Sequence, residues 1–171
     1  YSFTNLGYQV KLVTAKKEEL TYLKYLPKLE VDYAPLLPRE QWADYLVDYL
    51  KNYQGKIDRL FCFGLYPDYG KAINYFKQHF DGQIILKLDA NPYWMDIINY
   101  QESPQQDMIK ACDLISCEGM AMQSYLAKKW KRPIDLIRNG FPIKTFNPEL
   151  SFDIKENIIL NSKKSPCAFE A

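Results

Sequence analysis

Short apolar runs alternate with segments of helical periodicity along most of this chain. That alternation restricts the accessible folds more than any other feature. Arg59-Leu-Phe-Cys-Phe-Gly64 is a continuous apolar run, the pattern of a strand covered on both faces, as in a parallel sheet. Gln83-Ile-Ile-Leu-Lys-Leu-Asp89, Asp113-Leu-Ile-Ser116 and Ile134-Asp-Leu-Ile137 read as further strands. Gly7-Tyr-Gln-Val-Lys-Leu-Val-Thr14 reads as a helix stop followed by a strand. Gly7 suits a C-cap, and Val10, Leu12 and Val13 supply an apolar, β-branched run. Leu29, Val31 and Tyr33 alternate with Glu30 and Asp32, as in a short, half-exposed strand.

Helical spacing fills the intervals. Over 38–53, Trp42, Tyr45, Leu46, Tyr49, Leu50 and Tyr53 recur at three and four residues, one face of a helix. Asp44, Asp48 and Lys51 mark the opposite face, Pro38 suits the first turn, and Gly55 ends the segment. Tyr69, Ala72, Ile73, Phe76 and Phe80 predict a helix over 69–80. Asn91-Pro92 and Ser103-Pro104 each read as an N-cap followed by Pro at N1, opening helices over 92–99 and 104–111. Met122, Tyr125 and Leu126 face inward in a helix over 119–130. Strand–helix alternation at this spacing predicts βαβ units with right-handed crossovers, hence an α/β fold on a mostly parallel sheet. Ligands of such sheets bind at the carboxyl ends of the strands. Asp89, Asn91, Ser116, Glu118 and Asn139 follow or end strands and are therefore the ranking candidates.

Composition narrows the function classes. The chain has 171 residues, a length suited to one domain, with 47% hydrophobic and 25% charged residues. A net charge of +1 argues against a nucleic-acid binder working by bulk electrostatics. No run of ~18 apolar residues is present to span a membrane. The four cysteines, Cys62, Cys112, Cys117 and Cys167, show no C-x-x-C spacing. Three lie in apolar stretches and are expected to be reduced core thiols, as in a cytosolic protein. The single histidine, His79, gives a His-based metal site or a Ser-His triad little to work with, so no metal site is expected. His79 itself is expected at a solvated helix end.

The carboxyl-terminal third carries an ordered set of motifs. Ala111-Cys-Asp-Leu-Ile-Ser116 precedes a helix ending in Tyr125-Leu-Ala-Lys-Lys-Trp130. Ile134-Asp-Leu-Ile-Arg-Asn-Gly-Phe141 and Phe146-Asn-Pro148 follow. Together with Gly7-x-x-Val10-x-Leu12-Val-Thr14, this set resembles the amino-terminal domain of GT-B glycosyltransferases, the retaining, family-4-like group. The resemblance implies a Rossmann-like three-layer sandwich with a mostly parallel sheet. Residues 1–150 would be the acceptor-side domain lacking its first strand. Residues 151–171 would be the interdomain linker, the start of a second domain, and a divergent tail. The implied reaction moves a sugar from a nucleotide-sugar to a glycan or lipid-linked glycan, with no metal or cofactor. The nucleotide-sugar is a substrate held mainly by the carboxyl-terminal domain. That domain's phosphate-binding Arg/Lys pair and E-x7-E-type acidic motif have no counterpart here, so the chain alone is expected to be inactive. Tyr1 is expected to lie inside a helix whose start precedes the sequence.

The resemblance also orders the candidate site residues. Asp89 stands where the family commonly offers a polar residue, often His, to the cleft. It would bond a sugar hydroxyl or orient the acceptor, or else cap the 92–99 helix. Asn91, Ser116, Glu118, Asn139 and Gly140 are the other expected cleft residues. Ser116 would serve as helix cap, cleft residue or both. Asn139-Gly140 is by residue type a tight turn, whose backbone could approach a ligand. Tyr66, Tyr69, Tyr93 and Trp94 are the candidates for stacking on a sugar ring. Tyr45, Tyr49 and Tyr53 are expected in the core. Lys128, Lys129, Lys131, Arg132 and Arg138 surround Trp130. They form a solvated basic face or, by analogy with membrane-associated relatives, a peripheral contact with anionic lipid. The resulting expectation is a cytoplasmic protein, with a peripheral site at the inner membrane face. The competing reading is a non-catalytic α/β ligand-binding or interaction module. A flavodoxin-like nucleotide binder would need a phosphate loop that the sequence lacks.

Overall fold

A computed structural model describes residues 6–14, 29–89 and 103–137. The helix expected over 92–99 and the segment beyond Ile137 lie outside them. Among the described residues six strands and four helices follow one another: β1 (Val10–Thr14), β2 (Leu29–Tyr33), α1 (Trp42–Asn52), β3 (Arg59–Phe63), α2 (Tyr69–His79), β4 (Gln83–Leu88), α3 (Ser103–Ala111), β5 (Leu114–Cys117), α4 (Met120–Trp130) and β6 (Asp135–Leu136). A 3₁₀ turn, Arg39–Gln41, leads into α1, with the Gln41 N–H donating to the Pro38 carbonyl at 3.0 Å.

Every strand pairing is parallel, as the alternation predicts. The ladder β3-β4-β5-β6 forms one sheet and β1-β2 a second. The chain is therefore α/β with parallel strands, but among the described residues they fall into two sheets rather than one. Parallel neighbours require crossovers, and α2, α3 and α4 lie within the three crossovers of the larger sheet.

Register separates the faces of that sheet. Cys62 pairs with Leu86, and Leu86 with Ile115. These residues share a face with Ile84, Leu88 and Cys117, since side chains alternate along a strand. All belong to the core, together with Leu50 of α1, Ile73 and Phe76 of α2, Met108 and Ile109 of α3, and Met122 and Leu126 of α4. One helical layer therefore covers this face. The other face carries Phe61, Ile85 and Leu114, all partly buried, with Phe63 57% exposed. The described residues thus supply two of the three layers expected.

Two local devices set the register. Asp113 caps the start of β5, accepting the Ile84 N–H at 2.8 Å while its own N–H donates to the Ile84 carbonyl at 2.9 Å. Arg132, just beyond α4, donates to the carbonyls of Ile109 (2.5 Å) and Cys112 (3.0 Å). Its guanidinium thereby satisfies carbonyls at the end of α3, which have no partner within the helix.

Candidate functional site

The carboxyl ends of β4 and β5 bring together a charged side chain in an apolar setting and two of the predicted site residues. Lys87 lies in β4, directly paired with Ser116 of β5. Its side chain is only 5% exposed, and its ammonium donates to Glu118 Oε1 at 2.9 Å. The Glu118 carboxylate, 28% exposed, links this pair to the surface. Ser116 is fully buried, and its hydroxyl has no hydrogen-bond partner among the described residues. A buried ammonium is tolerated only with a compensating charge, which Glu118 supplies. An unpartnered buried hydroxyl costs free energy without return unless something completes it. Asp89 follows β4 and is exposed.

Among the expected site residues, then, Ser116 and Glu118 meet through Lys87, and Asp89 lies one residue past the strand. Asn91, Asn139 and Gly140 lie outside the described residues. The expectation that Ser116 caps the following helix is corrected. Ser116 is still within the β5 ladder, opposite Asp135, while α4 begins after Gly119 with no side-chain cap. Sequence reasoning passed over Lys87. Its signal was a lone cation inside Gln83-Ile-Ile-Leu-Lys-Leu-Asp89, a position that an α/β strand fills with apolar residues.

The aromatic residues divide differently from expectation. Tyr66 is 54% exposed and meets Tyr69 edge-on at 5.7 Å. Burial pushes the Tyr69 phenol up to about 12. Tyr93 and Trp94 lie outside the described residues. Tyr45, Tyr49 and Tyr53, expected in the core, stand apart from it. The apolar stripe of α1 is wide enough to split: Leu46, Val47 and Leu50 turn to the core, while the tyrosines line an open cleft.

The basic cluster around Trp130 is likewise redistributed. Arg132 is committed to the carbonyls at the end of α3, and Lys129 donates to the Tyr125 hydroxyl at 2.8 Å. Lys128 and Lys131 remain exposed, and Arg138 lies outside the described residues. His79 sits at the end of α2, as expected, stacked on Tyr75 at 4.0 Å.

The thiols of Cys62, Cys112 and Cys117 are free and buried. Burial raises all three, Cys62 to about 12 and Cys112 to about 11, which disfavours the thiolate form. Among the described residues no group of three or more His, Cys, Asp or Glu side chains is placed to hold a metal ion. None of their helices is long and apolar enough to cross a membrane. What the sheet end offers is hydrogen-bond chemistry: a fixed ammonium, a carboxylate and an unsatisfied hydroxyl. Compared with protein-family models, curated proteins and solved structures, the chain matches none of them.

Proposed function

We propose that this chain is the acceptor-side domain of a GT-B glycosyltransferase. The reaction moves a sugar from a nucleotide-sugar to a glycan or lipid-linked glycan. The observation that carries the reading is the Lys87–Glu118 ion pair, whose carboxylate reaches the surface, at the strand ends where parallel sheets bind ligands. The ordered motifs from Ala111 to Pro148 support it. In this reading Lys87 positions the Glu118 carboxylate, which accepts a hydrogen bond from an acceptor hydroxyl. Ser116 lies buried beneath this pair, and Asp89, exposed just past β4, bonds a sugar hydroxyl at the rim. No metal enters the reaction. The leaving diphosphate would be stabilised by cations and helix ends of a donor domain that follows this one. Exposed Lys128 and Lys131 would bring the domain to anionic lipid at the cytoplasmic face of a membrane, where a lipid-linked acceptor resides.

The test is a transferase assay on the full-length gene product, with a panel of common nucleotide-sugars and glycan or polyprenyl-linked acceptors. Transfer is expected with at least one donor. Glu118→Gln and Asp89→Asn should each raise the acceptor KM about tenfold, the equivalent of one hydrogen bond, with the donor KM unchanged. Absence of transfer from every donor, or variants that leave the acceptor KM untouched, would overturn the proposal.

A further inference from the structure

A second cleft runs along α1, and its lining includes none of the sheet-end residues Lys87, Ser116 and Glu118. Tyr45, Tyr49 and Tyr53 occupy successive turns, with adjacent ring centroids 6.4 Å apart and ring planes inclined by 41° and then 30°. They wall a cleft of about 570 Å³, completed by Lys11 of β1 and Asp32 of β2. That volume is in the range of small-molecule clefts, ~300–1,000 Å³.

Two of the three rings, Tyr49 and Tyr53, are held by polar ties to β1 and β2. The Tyr49 hydroxyl donates to Asp32 Oδ2 at 2.5 Å. The Lys11 ammonium lies 3.4 Å from the same oxygen and 3.2 Å from Glu30 Oε2, and 5.6 Å from the centroid of the Tyr53 ring. An aromatic wall fixed in this way loses little conformational freedom when a ligand arrives. The rim adds groups that bond hydroxyls: the Asp48 carboxylate and the amides of Asn52 and Gln54.

We propose that this cleft binds a neutral oligosaccharide, with a pyranose ring lying against the tyrosine ladder and its hydroxyls bonded to Asp48 and Asn52. A pyranose has an apolar C–H face and a rim of hydroxyls, and the cleft presents the matching pair of surfaces. Charge disfavours an anionic ligand: Lys11, the cation in the lining, is neutralised by Asp32 and Glu30, and the Asp48 carboxylate is paired with Lys51 at 3.0 Å, so among the described residues no uncompensated cation faces the cleft. The proposal does not depend on the transferase reading. Asn52, Gln54 and Gly55 lead into the amino-terminal end of β3, whereas Lys87 and Glu118 lie at the carboxyl ends of their strands.

The test is an amide NMR titration of the chain with maltohexaose, cellohexaose, xylohexaose and chitohexaose at millimolar concentrations. Saturable shifts are expected at Tyr45, Tyr49, Asn52 and Tyr53 with at least one of them. Asp48→Ala and Asn52→Ala alter exposed side chains and should preserve the fold by circular dichroism. Each should weaken binding about tenfold, while Lys87→Met leaves it unchanged. No saturable shift in the cleft with any sugar overturns the proposal. So do shifts confined to Lys87, Ser116 and Glu118, an outcome that leaves the transferase reading standing. A cleft that responds to spermine and to no sugar also overturns it, since it would mark a site for cations.

Discussion

Asp113 shows how much one side chain carries in this sheet. Its carboxylate accepts the Ile84 N–H and the Lys77 ammonium, the latter at 2.9 Å. Burial alone would raise its pKa, but the Ile84 N–H, Lys77 and Arg132 outweigh burial and hold it below the ordinary carboxylate range. A folded-state pKa below the unfolded one means that the carboxylate's contribution is complete above ~4, the ordinary aspartate value. It is lost as pH falls through the folded pKa. Asp113→Asn is therefore expected to cost about 1 kcal/mol at neutral pH, because the ~1.5–3 kcal/mol worth of hydrogen bonds to a charged group is screened by solvent at a side chain 37% exposed. Urea titrations should show the deficit shrinking as pH falls below ~4 and through the lowered folded-state pKa, as the parent carboxyl protonates. Asp32 is also depressed, in its case first by the Tyr49 hydrogen bond, so the β2–α1 contact should loosen over the same acid range. Of the residues that matter here, Asp113 was visible in the sequence only as a motif letter. Its role depends on an N–H of the neighbouring strand, contributed from 29 residues away.

At the scale of elements, close approach is decided by single positions. Gly82 joins α2 to β4 where a β-carbon would stand 2.5 Å from the Ile57 carbonyl oxygen and 2.7 Å from the Phe76 ring. Both neighbours are held, one by the backbone and the other within the core. Gly82→Ala should therefore destabilise the chain by about 1–3 kcal/mol through overpacking, read as a lowered thermal midpoint. An unchanged midpoint would mean that the connection can shift. Helix periodicity gave the correct boundaries for α1 and α2 to within a few residues, because amphipathic spacing reports the buried stripe directly. It did not show that the α1 stripe serves two surfaces. Leu46 and Tyr45 are adjacent in sequence and equally apolar to a periodicity count. Only the position of β1 and β2 beside α1 assigns one to the core and the other to a cleft.

At the scale of the molecule, the described strands make two sheets of unequal support. The β3–β6 ladder is backed by the core, with Ile84, Leu86 and Ile115 almost wholly buried. β1 and β2 form a two-stranded sheet whose residues are at most half-buried, and isolated two-stranded sheets are marginal in water. Hydrogen exchange should therefore be at least about a hundredfold faster for bonded amides in residues 10–14 than in residues 84–88. Equal protection would show that the two sheets open as one cooperative unit.

The sequence by itself determined the class: alternating strand and helix patterns left a parallel α/β arrangement as the consistent solution, since apolar periodicity is a local property. It also marked Ser116 and Glu118, because the carboxyl end of a strand can be located from the strand alone. The tertiary structure decided what those residues meet. Lys87 gains its meaning from Glu118, 31 positions away, and Arg132 from carbonyls on a different helix. The tyrosines of α1 gain theirs from a sheet that precedes them in the chain. Such pairings are set by strand register and helix packing, which depend on contacts between distant segments and leave no periodic trace in any one of them.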